Sequence, residues 1–489
     1  MNKLKVEFVA ALLALTSGVT AYANPSVSDV TMMQDTATKQ VTITYVLTGD
    51  PGIITVDIQT NAGANAWASI GARHFRSVAG AVNALVSTLG ENRIVWNPSV
   101  DWADHDLPAG KIRAEVKAWP ADTVLPYMAI NLAGGGARQH FVCEDALPEG
   151  IDSDLYRTDV LLMRRIPARD VVWTMGSPPG EIGRDETETS YGSNMESNHL
   201  VKLTHDFQMS VFETTQYQFM LLRGVNPSSF SCEEFKATRP VETIELCTHV
   251  RDDTDPTSDD PEVVHSKSDS NWKFLAQARS ATGLGLYLDL PTEAQWEFAC
   301  RAGSTHALYT GDDLASATGA DANLNRIARY KYTVKSTNPN PATCDVASGT
   351  ARVGSYEPNA FGLYDMLGNV WEMCLDYYAA YTNVNELSVD PQGASICYSK
   401  IQRAVRGGAW SSAATACRSA SRSHQQVWLA SNATGFRLCC TLVSDPPAES
   451  VSAETGVLAS GFDAWVNSFL ESDPVLMQFM PPGILLIVR

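Results

Sequence analysis

Oxygen-bearing side chains lie in a short segment with a glycine at its start, the Gly-Asn-Val-Trp-Glu string at residues 368–372. Asn369 and Glu372 supply side-chain oxygens, and the backbone between them supplies carbonyls. Hard cations such as Ca²⁺ prefer a cage of oxygen ligands of this kind. The string therefore predicts a calcium site. The alternative is that Glu372 pairs with a buried arginine such as Arg437 while Asn369 caps a turn.

Five arginines lie close together in a chain that is otherwise acidic. They are Arg403, Arg406, Arg418, Arg422 and Arg437. A buried guanidinium group needs a paired carboxylate, and the acid-rich remainder can supply it. We therefore expect internal ion pairs, with a pocket for a substrate carboxylate or sulfate as the alternative.

Ten cysteines would permit disulfide bonds in an exported chain. They are Cys143, Cys232, Cys247, Cys300, Cys344, Cys374, Cys397, Cys417, Cys439 and Cys440. Cys232 and Cys247 would close a short loop and are the first candidates for a bridge. The sequence contains no Cys-x-x-Cys pair, which argues against a zinc ribbon or a thioredoxin-type site.

Length and composition indicate a globular protein of two or three domains. The chain has 489 residues, of which 44% are hydrophobic and 19% charged. Its net charge of -19 disfavours nucleic acid as a partner, because phosphates require clustered lysine and arginine.

The first residues have the pattern of an export signal. Lys3 and Lys5 precede a short apolar run, and Ala21-Tyr22-Ala23 offers a small-residue cleavage site. We predict a signal peptide over residues 1–23 and a periplasmic, cell-surface or secreted protein. Neither this run nor the apolar stretch at 475–488 is suited to span a bilayer, so we expect no transmembrane segment.

Alternation of apolar and polar residues predicts strands in residues 24–145. Three such runs lie at 41–47, 54–58 and 112–118, and a Gly-Asp-Pro-Gly turn separates the first two. Several short strands suggest a small all-β sandwich, similar to an immunoglobulin domain. Its expected role is spacing or docking.

Residues 133–153 are rich in Gly, Asp and Glu. We predict a linker at 146–159 that leads into a second domain at 160–442. Thr214 or Thr215 would cap a helix over 216–223. Pro291, with Thr292 and Gln295 behind it, would open another. The tail at 443–489 carries apolar residues at helical spacing over 462–470, and we expect its stretch at 475–488 to dock on the protein.

The ordered motifs of the second domain resemble those of the formylglycine-generating enzyme family, also called the sulfatase-modifying factor family. They are Leu-Pro-Thr-Glu-Ala-Gln-Trp-Glu-Phe-Ala at 290–299, Asn-Ala-Phe-Gly-Leu-Tyr-Asp at 359–365, the string at 368–372, Arg-Gly-Gly at 406–408 and Gly-Phe-Arg at 435–437. The resemblance implies an irregular α+β domain with a C-type-lectin-like fold, placed after the all-β sandwich.

The resemblance also implies an oxidase centre. Enzymes of the family convert a substrate cysteine to formylglycine, using oxygen and copper bound to two cysteines that are five residues apart. Counted from the Gly-Gly turn, the matching positions are Ser412 and Cys417. The cysteine pair is therefore incomplete, because a hydroxyl is a poor ligand for Cu(I). Cys417 would be a copper ligand in an active enzyme, and otherwise a buried or disulfide-bonded thiol.

Two calcium sites carry over from the family. The first would use Asn369 and Glu372 with the carbonyl of Val370. The second, which matches an Ala-Asn-hydrophobic segment of the family, would use Asn323 and Leu324.

Residues 409–434 also resemble the variable region of retroelement-diversified binding proteins, which share the C-type-lectin-like fold. In those proteins a fixed frame surrounds positions that vary freely and bind ligands. The resemblance implies a protein or peptide ligand at Ser411, Ser412, Ser421, Ser423, His424, Trp428 and Asn432. A copper-dependent oxidase and a non-catalytic binding protein are thus both open functions.

Overall fold

The computed structural model describes residues 24–61, 66–105, 110–184, 195–251, 273–282, 286–336, 345–381, 384–394 and 402–441. The predicted signal peptide and the tail at 443–489 lie outside these residues, so both stay predictions. The described residues form two compact units, one within residues 24–71 and Ser77–Thr123, the other containing Ala72–Arg76 and the described residues from Val124 to Thr441.

The first unit is all-β, apart from one helical turn. Its strands are β1 (Ser26–Gln34), β2 (Val41–Thr48), β3 (Gly52–Asn61), β4 (Trp67–Ser69), β5 (Val78–Gly80), β6 (Leu85–Val86), β7 (Gly90–Trp96) and β8 (Ile112–Pro120), and the turn is α1 (Pro98–Asp101). One sheet has the order β1-β2-β7-β5, and the other contains β4-β3-β6 with β8 on β3. The inward residues Ile43, Tyr45 and Leu47 are fully buried, which confirms the predicted all-β sandwich.

The second unit combines many short strands with few helices. Its strands are β9 (Tyr127–Asn131), β10 (Ala137–Phe141), β11 (Val160–Ile166), β12 (Val171–Met175), β13 (His199–Leu203), β14 (Phe207–Ser210), β15 (Leu288–Asp289), β16 (Trp371–Tyr377), β17 (Ser388–Val389), β18 (Gln402–Arg406), β19 (Arg422–Gln426), β20 (Thr434–Gly435) and β21 (Cys439–Thr441). Its α-helices are α2 (Gln216–Arg223), α3 (Phe274–Thr282), α4 (Glu293–Arg301) and α5 (Ala322–Asn325). The predicted irregular α+β fold is confirmed.

Three sheets organise this unit. A six-stranded sheet has the order β10-β9-β11-β14-β21-β15, a three-stranded sheet the order β12-β13-β17, and a four-stranded sheet the order β19-β18-β16-β20. Trp371, at the start of β16, packs against the same apolar cluster as Phe436. The motif at 368–372 and the motif at 435–437 therefore belong to one core.

The boundary between the units differs from the predicted one. The β9–β10 hairpin pairs with β11 of the second unit, so the sandwich ends at Thr123 rather than at residue 145. The predicted linker at 146–159 is also structured, because Arg157 is fully buried and donates to the carbonyls of Val353, Ile151 and Ser153. The alternation of apolar and polar residues predicts strands, but it does not show which sheet the β9–β10 hairpin joins.

Both predicted helices are observed, and the second begins at Glu293, two residues after the predicted opening at Pro291. Thr215 caps α2 and Thr292 caps α4, and each forms a capping box with a glutamine three residues on. These boxes satisfy backbone donors that would otherwise lack partners at the helix ends.

The predicted bridge between Cys232 and Cys247 is wrong. Cys247 is a thiol, and its sulfur lies 3.8 Å from the hydroxyl of Thr248. Cys143, Cys300, Cys374, Cys417, Cys439 and Cys440 are thiols as well. A short loop length made the bridge possible, but spacing does not bring two sulfurs into bonding geometry.

Candidate functional site

Glu372 lies at the centre of a fully buried set of polar groups. Arg437 binds it through two parallel contacts, Nε to Oε2 and Nη2 to Oε1, each 2.6 Å long. The indole Nε1 of Trp296 also donates to Oε2 at 2.6 Å. Both carboxylate oxygens of Glu372 are thus engaged by donors of the protein, in a bidentate geometry that favours arginine.

Asn369 supports the same region from a left-handed backbone conformation, with φ at 58°. Its Oδ1 accepts from the backbone N–H of Ala351 at 2.8 Å, and its Nδ2 donates to Glu213 Oε2 at 2.6 Å. The backbone N–H of Val370 donates to the other oxygen of Glu213 at 3.2 Å. The alternative in which Glu372 pairs with Arg437 therefore describes this arrangement. Asn369 joins distant segments of the chain rather than capping a turn.

This arrangement leaves the first predicted calcium site without free side-chain oxygens. The guanidinium group of Arg437 supplies the positive charge beside Glu372, and Asn369 Oδ1 already has a donor. Because the side chains of Asn369 and Glu372 already have partners within the protein, they do not form the cage of oxygen ligands that Ca²⁺ prefers. Calcium at Asn369, Val370 and Glu372 stays a prediction.

The second predicted calcium segment lies in α5. Asp321 caps this short helix by accepting from the N–H groups of Asn323 and Leu324, at 3.0 and 3.1 Å. Asn323 donates to the carbonyl of Asp313, and Leu324 is buried in the apolar core. Calcium at Asn323 and Leu324 likewise stays a prediction. Within the described residues, no group of three or more His, Cys, Asp or Glu side chains could hold a metal ion.

Several buried ion pairs join helix α4 to strands β18 and β19 of the four-stranded sheet. Glu293 binds Arg422 at 2.5 and 2.7 Å, and Glu297 binds Arg406. Burial alone would raise the pKa of Glu297, but Arg301 and Arg406 lower it below its ordinary value. The same carboxylates raise the pKa of Arg406 and Arg422 against the effect of burial.

The other arginines of the dense group also have internal partners. Arg418 pairs with Glu181 at 2.6 Å and with Glu196 at 2.9 Å, while Arg403 lies over the ring of Tyr377 and donates to the carbonyl of Leu375. Together with Arg406, Arg422 and Arg437, they serve the fold through internal contacts. Because each of these five arginines already has an internal partner, none of them is left for the alternative, a pocket for a substrate carboxylate or sulfate.

The Gly407–Gly408 turn determines the position of Cys417. A Cβ atom at Gly408, where φ is 82°, would lie 2.5 Å from the sulfur of Cys417. The thiol is fully buried in the apolar core, and burial raises its pKa to about 12. Cys417 is therefore a neutral thiol packed under the turn.

Ser412 does not complete a copper centre. Its hydroxyl accepts from the backbone N–H of Ala409 at 3.0 Å, so it stabilises the loop that follows the glycines. Cu(I) requires soft, deprotonated sulfur ligands, and this segment offers one buried, protonated thiol. The donor set does not fit the family's two-thiolate centre, and copper stays a prediction.

Six of the seven residues predicted to bind a ligand are half-buried or exposed, and Ser421 is buried. Ser411 and Ser412 follow Trp410 in the chain, and the indole of Trp410 donates to the carbonyl of Asn432 at 2.9 Å. Ser411, Ser412 and Asn432 are half-buried, as are Ser423 and His424 on β19 at the edge of its sheet. Trp428, 40% exposed, follows that strand.

One of the predicted residues, Ser421, lines a polar cavity of about 180 Å³. Its walls include Glu196, Tyr378, Thr415, Arg418, Ser421 and Arg422. The ring of His424 lies 4.9 Å from that of Tyr378, which places His424 beside this cavity. The sequence identified Ser421 and His424 but missed Glu196 and Tyr378, because distant segments supply them and no motif marks them.

Comparison with known proteins identifies the second unit. Residues 165–442 match the family model described as "Sulfatase-modifying factor enzyme 1-like domain". The match covers more than half of the chain. The chain belongs to this family.

Two relatives each match only part of this chain, and this chain matches only part of each of them. A formylglycine-generating enzyme of Mus musculus is 32% identical over 151 residues, which are 30% of this chain and 38% of that protein. One of Streptomyces coelicolor is 34% identical over 152 residues, 30% of this chain and 45% of that protein. The chain thus spans less than half the length of these relatives.

Two solved structures are similar in fold. Treponema denticola variable protein 1 is 22% identical with a TM-score of 0.40, and the match covers 58% of this chain and 95% of that one. PvdO from Pseudomonas aeruginosa is 20% identical with a TM-score of 0.41 and the same coverage.

Among the described residues of this family member, no helix has the length and apolar character needed to cross a membrane.

Proposed function

We propose that this family member is a non-catalytic binding protein that presents residues 409–434 to a protein or peptide ligand. One observation carries the proposal. The only cysteine in the segment that should hold the oxidase centre is Cys417, and its thiol is buried beneath Gly408 with its pKa raised to about 12. A nucleophile or copper ligand needs an accessible thiolate, and this thiol is neither accessible nor ionised at neutral pH.

The geometry of the same segment favours recognition. Buried ion pairs hold its frame through Arg406, Arg418 and Arg422. After the last of these anchors, His424 on an edge strand and Trp428 in the loop that follows reach the surface. A rigid frame that displays accessible aromatic and polar side chains is the usual basis of a binding surface.

The cavity of about 180 Å³ forms a concave part of this surface. Ser421 and Thr415 contribute hydroxyl groups, and Tyr378 contributes an aromatic wall. Its volume is below the range of about 300–1,000 Å³ that is typical of drug-sized ligands. It therefore suits one side chain of a larger ligand, and we propose a protein or peptide ligand on this basis.

The test combines a catalytic assay with a binding assay. The full chain is incubated with Cu(I), oxygen and a Cys-x-Pro-x-Arg peptide, and mass spectrometry follows conversion of the cysteine to an aldehyde. We expect no conversion. Conversion that Cys417→Ala abolishes would overturn the proposal.

Binding is tested by selecting a displayed peptide library on the full chain. The affinity of the selected peptides is then measured against Trp428→Ala and His424→Ala, with Val346→Ala as a control at another exposed position. We expect the first two changes to weaken binding at least about tenfold, a hot-spot effect, and the control to leave it unchanged. Equal binding by all variants would place recognition outside residues 409–434.

A further inference from the structure

An apolar face lies on the three-stranded sheet, away from residues 409–434. The cross-strand row Val172–Lys202–Val389 follows from the pairing of β12, β13 and β17. Leu200 is on the same face because it lies two residues before Lys202 on β13. Leu387 immediately precedes β17 and lines a cavity together with Leu200. The exposed fractions of Val172, Leu200, Leu387 and Val389 are 51%, 50%, 46% and 53%.

The opposite face of this sheet is the buried one. His199, Val201 and Leu203 alternate with the exposed residues of β13 and point into the core. Four large aliphatic side chains are therefore exposed on one face of a small sheet, with Lys202 between Val172 and Val389. Exposed aliphatic side chains grouped in this way mark interaction sites.

A cavity of about 270 Å³ adjoins this face. Thr174, Asn198, His199, Leu200, Glu386 and Leu387 belong to its lining. The volume lies just below the range of drug-sized pockets, so it suits a single large side chain of a docked segment. The side chains of Asn198 and Glu386 offer hydrogen-bond acceptors in this lining.

The described chain ends close to this sheet. Thr441, the last residue of β21, pairs with Phe207 at the start of β14. The loop between β13 and β14 is also tied to β17, because Thr204 donates to Asp390 through its N–H at 2.8 Å and its hydroxyl at 2.5 Å. The residues after Thr441 therefore begin beside the end of the sheet that bears the apolar face.

The sequence after Thr441 contains a segment of suitable chemistry. Apolar residues follow helical spacing in residues 462–470. They are Phe462, Trp465, Val466, Phe469 and Leu470. Twenty residues separate Thr441 from Phe462, and an extended chain of that length reaches up to about 70 Å, so the face is within reach.

We propose that residues 462–470 form an amphipathic helix that docks on the face of Val172, Leu200, Leu387 and Val389 in the same chain. A nine-residue helix is about 14 Å long, comparable to the about 10 Å between the outer strands of a three-stranded sheet. Trp465 enters the adjoining cavity, where Asn198 or Glu386 accepts its indole N–H. This surface is separate from the proposed ligand surface, and the two proposals can fail independently.

A photocrosslinking experiment on the full chain tests the docking. The photoreactive amino acid benzoylphenylalanine replaces Leu200, and mass spectrometry maps the crosslinked peptide after irradiation at low protein concentration. We expect a crosslink within one chain to residues 462–470. Trp465→Asp should reduce its yield at least about tenfold, because a charge cannot enter the apolar contact.

Two matched controls accompany the experiment. Asn467→Asp places a charge on the opposite side of the proposed helix and should leave the yield unchanged. Benzoylphenylalanine at Val346, which is 58% exposed elsewhere, should give no crosslink to residues 462–470. A crosslink to residues 475–488, a crosslink between two chains, or none at all would overturn the proposal.

Discussion

At the scale of single residues, burial decides the chemistry of the groups that the motifs contain. Cys417 and Glu372 are residue types that bind metals and react, yet each is enclosed by the fold. The thiol of Cys417 packs under a glycine, and the carboxylate of Glu372 is bound by Arg437. Their common role in this protein is to hold the segment around them.

Gly408→Ala tests the contact between the glycine turn and Cys417. We expect a loss of about 2–4 kcal/mol in the free energy of unfolding, because the new methyl group would lie 2.5 Å from the sulfur in a backbone conformation that disfavours alanine. Urea denaturation provides the measurement. Gly224→Ala is the control, since its φ is 72° but no atom lies within 4 Å of its Cβ position. It should cost about 1 kcal/mol.

A double variant separates the two causes of that loss. Adding Cys417→Ala to Gly408→Ala removes the sulfur, so the combined loss should be smaller than the sum of the single losses. Additive losses would show that the sulfur is not the obstacle.

At the scale of elements, α4 departs from the ordinary amphipathic pattern. Its buried face carries Glu293 and Glu297 as well as Trp296 and Cys300. The two carboxylates are stable there because Arg406 of β18 and Arg422 of β19 reach them. The helix and the sheet are thus joined by charge as well as by apolar packing.

Glu297→Gln tests this joint. We expect a loss of about 3–5 kcal/mol in the free energy of unfolding, because Arg301 and Arg406 would both lose the buried carboxylate that they share and Arg406 would keep only the more distant Glu293. Glu357→Gln is the matched control, since Glu357 forms an exposed pair with Arg326 and should contribute within about 1 kcal/mol. Similar losses for the two variants would refute a structural role of the buried pair.

At the scale of the whole molecule, several enclosed carboxylates make folding depend on pH. Burial raises the pKa of Glu242 to about 7, although hydrogen bonds from Thr243 and Phe230 oppose the shift. Burial likewise raises the pKa of Asp365 to about 6. In such groups the folded state holds a proton that the unfolded state has released, so stability falls as pH rises from about 4.5 towards the folded-state pKa.

Glu242→Gln isolates one of these contributions. The wild type should lose about 2–3 kcal/mol more unfolding free energy than the variant between pH 5 and pH 8, since only the wild type must ionise this buried group. Urea denaturation at several pH values gives the comparison. Parallel pH curves for the two proteins would show that Glu242 does not cause the dependence.

The sequence by itself determined the local structure and the family. Alternation located β2, β3 and β8, and turn and capping chemistry located α2 and the start of α4. Those signals are read from neighbouring residues, so a single chain contains them. The ordered motifs likewise predicted the family to which the chain belongs.

Only the tertiary structure decided what the functional-looking residues contact. It paired Glu372 with Arg437, buried Cys417 under Gly408, brought Tyr378 to His424 and assigned the hairpin after Thr123 to the second unit. Each of these contacts joins segments that no local pattern relates. Whether a carboxylate or a thiol is reactive depends on its solvent exposure and on the charges beside it, and packing sets both.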